Sequence, residues 1–239
     1  MLGSIKPGQP WVWGAKGKHP IAKDYVAIGN QSPLFQAFAN WVDSGYAKTE
    51  PNRFKQYSWR FWARGLKKGE LVCGLLRDSH DSYGRPYPFL VMGTGNLAGW
   101  EEKWEMLPYA LEEIWSGLEY FSTRKAVDYS ALERELQRMA HPVMKEHPDI
   151  PQELLSQAIA HVQKTNPGQR AELAVSIDSP ASADPADTIA LWHLSLKASV
   201  AWFPNAVFVG GTPQETILAA YQRSLIAEDF VQLWSMDKT

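Results

Sequence analysis

The sequence predicts an α/β fold in which a mixed, partly antiparallel sheet is covered by helices on both faces, a three-layer arrangement. Three observations carry that expectation. Apolar residues recur every second position, or fill both faces, over 57–64, 70–77 and 87–92, with further strand-like runs near 171–177 and 188–209. They recur at helical spacing over 32–45, 104–118 and 151–165. The two kinds arrive in blocks, without the strand–helix alternation that builds a parallel sheet.

Taken in order, residues 11–29 are rich in Gly and Lys without a clean period and read as strand plus loop. Ser32-Pro33 opens a helix, Ser as the N-cap and Pro at the first helical position, with Leu34, Phe38, Trp41 and Val42 on one stripe and Gly45 as its stop. Tyr57, Trp59 and Phe61 alternate with Ser58, Arg60, Trp62 and Arg64. Leu71, Val72, Cys73, Leu75 and Leu76 make both faces of the next strand apolar, so it belongs in the middle of a sheet. Gly65 and Gly69 bracket a five-residue link, which predicts an antiparallel hairpin. Trp59, Phe61, Leu71, Cys73, Leu75, Phe89 and Val91 are expected on strands and buried. A third strand is expected at 87–92. Pro108 belongs near the start of the following helix, and Ser130 with Glu133 has the pattern of a capping box. A helix from Pro151 ends near 166–168. Strands are expected at 171–177 and 188–197, on either side of a loop at 178–187, with one or two more within 199–209. Thr212 and Glu215 form a second capping-box pattern, predicting a helix with Ile217, Leu218 and Tyr221; a short helix at 228–234 closes the chain. The 239 residues contain no internal repeat and no interdomain linker, so residues 1–239 are expected to form a single domain.

Composition excludes several classes. Apolar residues are 45% and charged residues 21%, a globular balance. Lys+Arg 24 against Asp+Glu 26 argues against a nucleic-acid partner. A single cysteine excludes an intramolecular disulfide and a Cys-built zinc cage. No signal-peptide pattern and no apolar run near the ~20 residues of a membrane span appear, so a cytoplasmic location and no direct membrane insertion are expected. The 11 Trp are expected to serve core packing first and interfaces second. Residues 1–100 hold 13 Lys/Arg and 6 Asp/Glu, and the remainder 11 and 20. That asymmetry reads either as complementarity between the two halves or as a basic face for an acidic partner.

Catalytic motifs are missing. Gly14-Ala15-Lys16-Gly17-Lys18 has only two residues between its glycines, and His19-Pro20 stands where a phosphate loop needs a hydroxyl and a helix start, so it reads as a tight Gly-rich turn. Asp78, Ser79, His80, Asp81 and Ser82 lack metal-ligand spacing and read as a strand cap and turn. No Gly-x-Ser-x-Gly elbow is present. Cys73 lies inside an apolar strand and reads as inert packing, and His141 and His147, each before Pro, as solvated.

An ordered set of weaker patterns remains. Trp13, Gly14, Gly17, Lys18, Pro20, Asp24 and Tyr25 are followed by Trp59-Arg60-Phe61, then by Ser79, Asp81, Gly84, Arg85, Tyr87 and Pro88. In that order and spacing, over about residues 11–125, they resemble the TagF family, also called ImpM. The resemblance implies a cytoplasmic, non-enzymatic regulator without a cofactor, which represses type VI secretion after translation by engaging the forkhead-associated scaffold protein of the apparatus. The rival reading is a hydrolase or phosphoryl-transfer enzyme using Lys18, His80, Asp81 and Arg85.

The two motif loops are expected to meet and form one binding or structural centre of Gly14, Lys16, Gly17, Lys18, His19, Asp24, Ser79, Asp81, Gly84 and Arg85. Gly84 and Pro86 stiffen the chain around Arg85, whose planar fork calls for a carboxylate; Asp24 and Asp81 are available. Two readings stay open: Arg85 clamps the two loops together, or Lys16, Lys18 and His19 form a rim facing a partner, in which case Lys18→Glu is expected to weaken binding while leaving stability nearly unchanged.

Overall fold

The computed structural model describes residues 11–49, 56–124, 128–145, 150–165, 171–177 and 184–235. Its strands are β1 (Val12–Lys18), β2 (Tyr25–Gly29), β3 (Ser58–Arg64), β4 (Glu70–Arg77), β5 (Phe89–Asn96), β6 (Glu172–Ser176), β7 (Ala206–Thr212) and β8 (Glu215–Tyr221). They form one sheet in the order β2-β1-β5-β4-β3-β7-β8-β6. The three-layer α/β architecture is the expected one. The sheet goes further than "partly antiparallel": every pairing among the described strands is antiparallel.

Helices α1 (Pro33–Tyr46) and α6 (Ala227–Leu233) cover one face. Helices α2 (Leu107–Thr123), α3 (Tyr129–Leu136), α4 (Gln152–Thr165) and α5 (Pro185–Ser199) cover the other. Strand β3 feeds both cores, as its period requires. Trp59, Phe61 and Ala63 pack with Phe38, Phe208 and Phe230, while Trp62 packs with Trp100, Trp104 and Trp115 on the opposite side. Trp59, Phe61, Leu71, Cys73, Leu75, Phe89 and Val91 are all buried on strands. Arg60, on the Trp62 face, is tolerated because α2 offers two acids: Glu119 accepts from Nε at 2.7 Å and Nη2 at 3.1 Å, and Glu112 from Nη1 at 3.0 Å. Together with Lys48–Glu228, this pair joins the basic first part of the chain to the acidic remainder.

Four local expectations are corrected. Residues 188–197 are helix α5, capped by Asp184, which accepts from the Ala186 N–H at 2.8 Å. That helix is buried almost all round, so it carries no apolar stripe to betray a helical period. Thr212 and Glu215 face each other across the two-residue turn of the β7–β8 hairpin and open no helix. The start of α3 is capped by Asp128, accepting from the Ala131 N–H at 2.7 Å, and not by Ser130. Gly45 sits inside α1 and does not end it. Its role is packing: a Cβ there would lie 2.3 Å from the Phe230 Cβ. Gly45→Ala is therefore expected to lose about 1–3 kcal/mol to overpacking, partly offset by about 0.5–1 kcal/mol of helix preference. The net fall in melting temperature should be a few degrees in a thermal scan; an unchanged or raised midpoint would refute close α1–α6 packing. The expected helix stop at 166–168, most of the loop at 178–187 and His147 lie outside the described residues.

Candidate functional site

Sheet order explains why two loops distant in sequence meet. Strand β1 lies between β2 and β5, and Gly17 is paired with Phe89. The end of β1 and the beginning of β5 thus coincide, and the turn at 19–24 and the loop at 78–88 leave the sheet side by side. They are stitched together by the Ser82 N–H donating to the Ala22 carbonyl at 2.8 Å and by Arg85 Nη2 donating to the Lys23 carbonyl at 2.6 Å.

Asp81 is the hub, with no exposed surface. One carboxylate oxygen accepts from the Tyr83 and Arg85 backbone N–H groups, both at 3.0 Å. The other accepts from Arg85 Nε at 2.6 Å and lies 3.2 Å from Lys18 Nζ. Gly84, at φ 77°, makes the reversal that returns Arg85 to Asp81. Burial alone would raise the Asp81 carboxyl. The backbone and side-chain bonds from Arg85, then Lys18 and the Tyr83 N–H, outweigh it and hold the group well below the ordinary carboxylate range.

The other expected residues divide. Gly14 and Gly17 belong to strand β1 and form no Gly-rich turn; Gly17, at φ 135°, lets the Pro88 carbonyl approach to where a Cβ would stand, 2.1 Å away. Lys18 is 7% exposed and His19 is 1% exposed, so neither lies on a rim. His19 accepts the Ile21 N–H at 3.3 Å through Nδ1 and lies against Phe89; burial, and then His80, lowers its pKa to about 4. Asp24 is exposed and accepts from the Tyr25 N–H, leaving Asp81 as the carboxylate that pairs with Arg85. Ser79 accepts the Tyr87 N–H on its carbonyl, and His80 Nδ1 is 2.8 Å from the Asp81 carbonyl.

Lys16 is partly exposed and pairs with Asp43 of α1 at 3.1 Å. Asp43 also accepts from the Tyr87 hydroxyl, whose pKa is pushed up by burial and by that carboxylate. Tyr87 in turn packs edge-on against Tyr25 and Tyr46. Asp43 and Tyr46 were not legible as site residues, because both read as the polar side and the end of an amphipathic helix. Asp78 ties strand ends: its oxygens accept from the Tyr57 N–H at 2.8 Å and Trp234 Nε1 at 2.9 Å. Among the described residues no group of three or more His, Cys, Asp or Glu side chains is gathered as a metal would require, and no helix is long and apolar enough to cross a membrane.

Comparison with known proteins adds two findings. A sequence model for the TagF N-terminal domain, described as type VI secretion system-associated, matches residues 14–139. The crystal structure of PA0076 from Pseudomonas aeruginosa PAO1 superposes with a TM-score of 0.55 at 18% identity, over 92% of this chain and 93% of that one. No curated protein matches the sequence.

Proposed function

The chain belongs to the TagF N-terminal domain family of type VI secretion system-associated proteins, and from that premise we propose that it is a cytoplasmic, non-enzymatic regulator. It represses secretion after translation by binding the forkhead-associated scaffold protein of the apparatus. The observation that carries the non-enzymatic part is the saturation of Asp81. A general base must be free to take a proton near neutral pH, whereas Asp81 accepts from four donors and is held far below that range. Lys18 and Arg85, the other residues a phosphoryl-transfer site would use, are committed to the same carboxylate. The centre therefore supports a rigid frame, with Lys16, Tyr25, Asp43 and Tyr87 on its outer side available to a partner.

Deleting the gene is expected to raise secretion of the apparatus's substrates, and the purified chain is expected to bind the purified scaffold protein in calorimetry. Loss of secretion on deletion would instead make the protein an assembly component. Turnover of a phosphoester, abolished by Asp81→Asn, would restore the enzyme reading.

A further inference from the structure

A groove of about 780 Å³ opens beside the two loops, with Arg77, Ser79, His80 and Ser122 on one side and Tyr46 and Trp234 on the other. It follows from the same topology: Arg77 is the last residue of β4, the strand that feeds the loop, and Trp234 lies directly after α6 on the other side of the sheet end. Its polar groups are mostly spent. Asp78 uses both oxygens on Tyr57 and Trp234, Arg85 and Lys18 converge on Asp81, and Glu119 is committed to Arg60.

Arg77 is the exception. The residue is half-buried, its guanidinium donates one long hydrogen bond, 3.3 Å to Ser122 Oγ, and no carboxylate of the described residues lies within ion-pair distance. Burial draws its pKa down against the upward pull of Glu119 and Asp78, as for a cation that has lost water without gaining a partner. A planar fork left open in this way fits a two-oxygen acceptor. Of the charged groups that line the groove, Arg77 and Arg85 are cationic against Asp78. That imbalance suits a monoanion better than a phosphate dianion. The rings opposite present the amphipathic surface that anchors protein segments at interfaces.

We propose that this groove docks a carboxylate-bearing segment of a protein partner, an Asp or Glu side chain pairing with the Arg77 guanidinium while a neighbouring residue lies against Tyr46 and Trp234. The proposal deepens the functional reading above and rests on it only for the partner's identity.

Two arms test it. In the first, the isotope-labelled full chain is titrated with the capped peptide acetyl-Ala-Glu-Tyr-Ala-amide, with its Gln counterpart and with inorganic phosphate. The Glu peptide should shift the Arg77 Nε–H and Trp234 indole N–H resonances saturably, at least tenfold more tightly than the Gln peptide. Arg77→Gln should abolish the response, and Arg77→Lys, which keeps the charge but loses the fork, should recover part of it. Equal response to both peptides, no saturable shift at millimolar peptide, or tight phosphate binding without peptide binding would each overturn the proposal. In the second arm, Arg77→Gln and Arg77→Lys, with thermal midpoints checked against the parent, are assayed for scaffold binding. At least a tenfold loss for Arg77→Gln is expected. Undiminished binding overturns the groove, whereas failure of the unaltered chain to bind the scaffold overturns the functional reading and leaves the groove to the peptide arm.

Discussion

Lys18→Glu is expected to lose more than about 4 kcal/mol of stability at neutral pH, a large share of the roughly 5–15 kcal/mol of an ordinary domain. The ammonium is 3.2 Å from a carboxylate with no exposed surface, and the lysine side chain is itself only 9% exposed. A glutamate there would set two carboxylates in one buried space, so one must take up a proton or the loops must part. Removing the charge without reversing it is milder. In Lys18→Met, Asp81 keeps Arg85 and two backbone donors, and a loss of about 1–3 kcal/mol is expected. Arg85→Ala should cost about 2 kcal/mol, because half of that side chain already lies in water and Lys18 remains. Denaturant titration of the three variants decides the order. Because the Lys18–Asp81 contact is buried, the Lys18→Glu loss should also persist at 0.5 M salt, where an exposed pair would be screened. A Lys18→Glu chain as stable as the parent would return Lys18 to the surface and dissolve the shared centre.

The meeting of the two loops was legible, and the placement of Lys18 was not, for one reason. Gly84-Arg85-Pro86 is a local device whose demand for a carboxylate can be read from three residues. Whether Lys18 ends in water depends on β1 running on through Gly17, which only the packing of the Pro88 carbonyl against that glycine reveals. The β3–β4 hairpin was readable because β3 alternates, β4 is an apolar run of strand length and glycines bracket the link. Helix α5 and strand β8 were not, since elements apolar on several faces lose the period that tells a helix from a strand. In both, a short local pattern favours the wrong reading: Asp184-Pro185 has the composition of a loop, and Thr212 with Glu215 the pattern of a helix start.

Acid is expected to destabilise the protein between about pH 6.5 and 4, well before Asp81 of the shared centre protonates. His193, on α5, has no exposed surface. The Trp62 indole can only donate, so its 3.0 Å bond makes His193 Nε2 the acceptor and places the proton on Nδ1, 2.8 Å from the Ile189 carbonyl. A second proton would have to break the Trp62 bond inside an apolar core. Burial accordingly lowers the pKa to about 4 from 6.5, although the Ile189 carbonyl pulls the other way. In the unfolded chain the imidazole titrates near its ordinary value. Between the two values the unfolded state holds one more proton, so stability falls with pH at about 1.4 kcal/mol per unit, or about 3 kcal/mol over the window. His19, lowered to about 4 by burial and then by His80, acts in the same direction. Asp81 acts in the same direction at lower pH: its depressed value gives stability that is kept until pH falls through the ordinary carboxylate range. The unfolding free energy should therefore drop first through the histidine window and again in strong acid. His193→Gln, uncharged throughout, should be less stable at pH 7 but show a first drop smaller by roughly one proton's share. Equal slopes for parent and variant between pH 6.5 and 4, or a His193 imidazole that titrates near 6.5 by NMR in the folded state, would place that drop elsewhere.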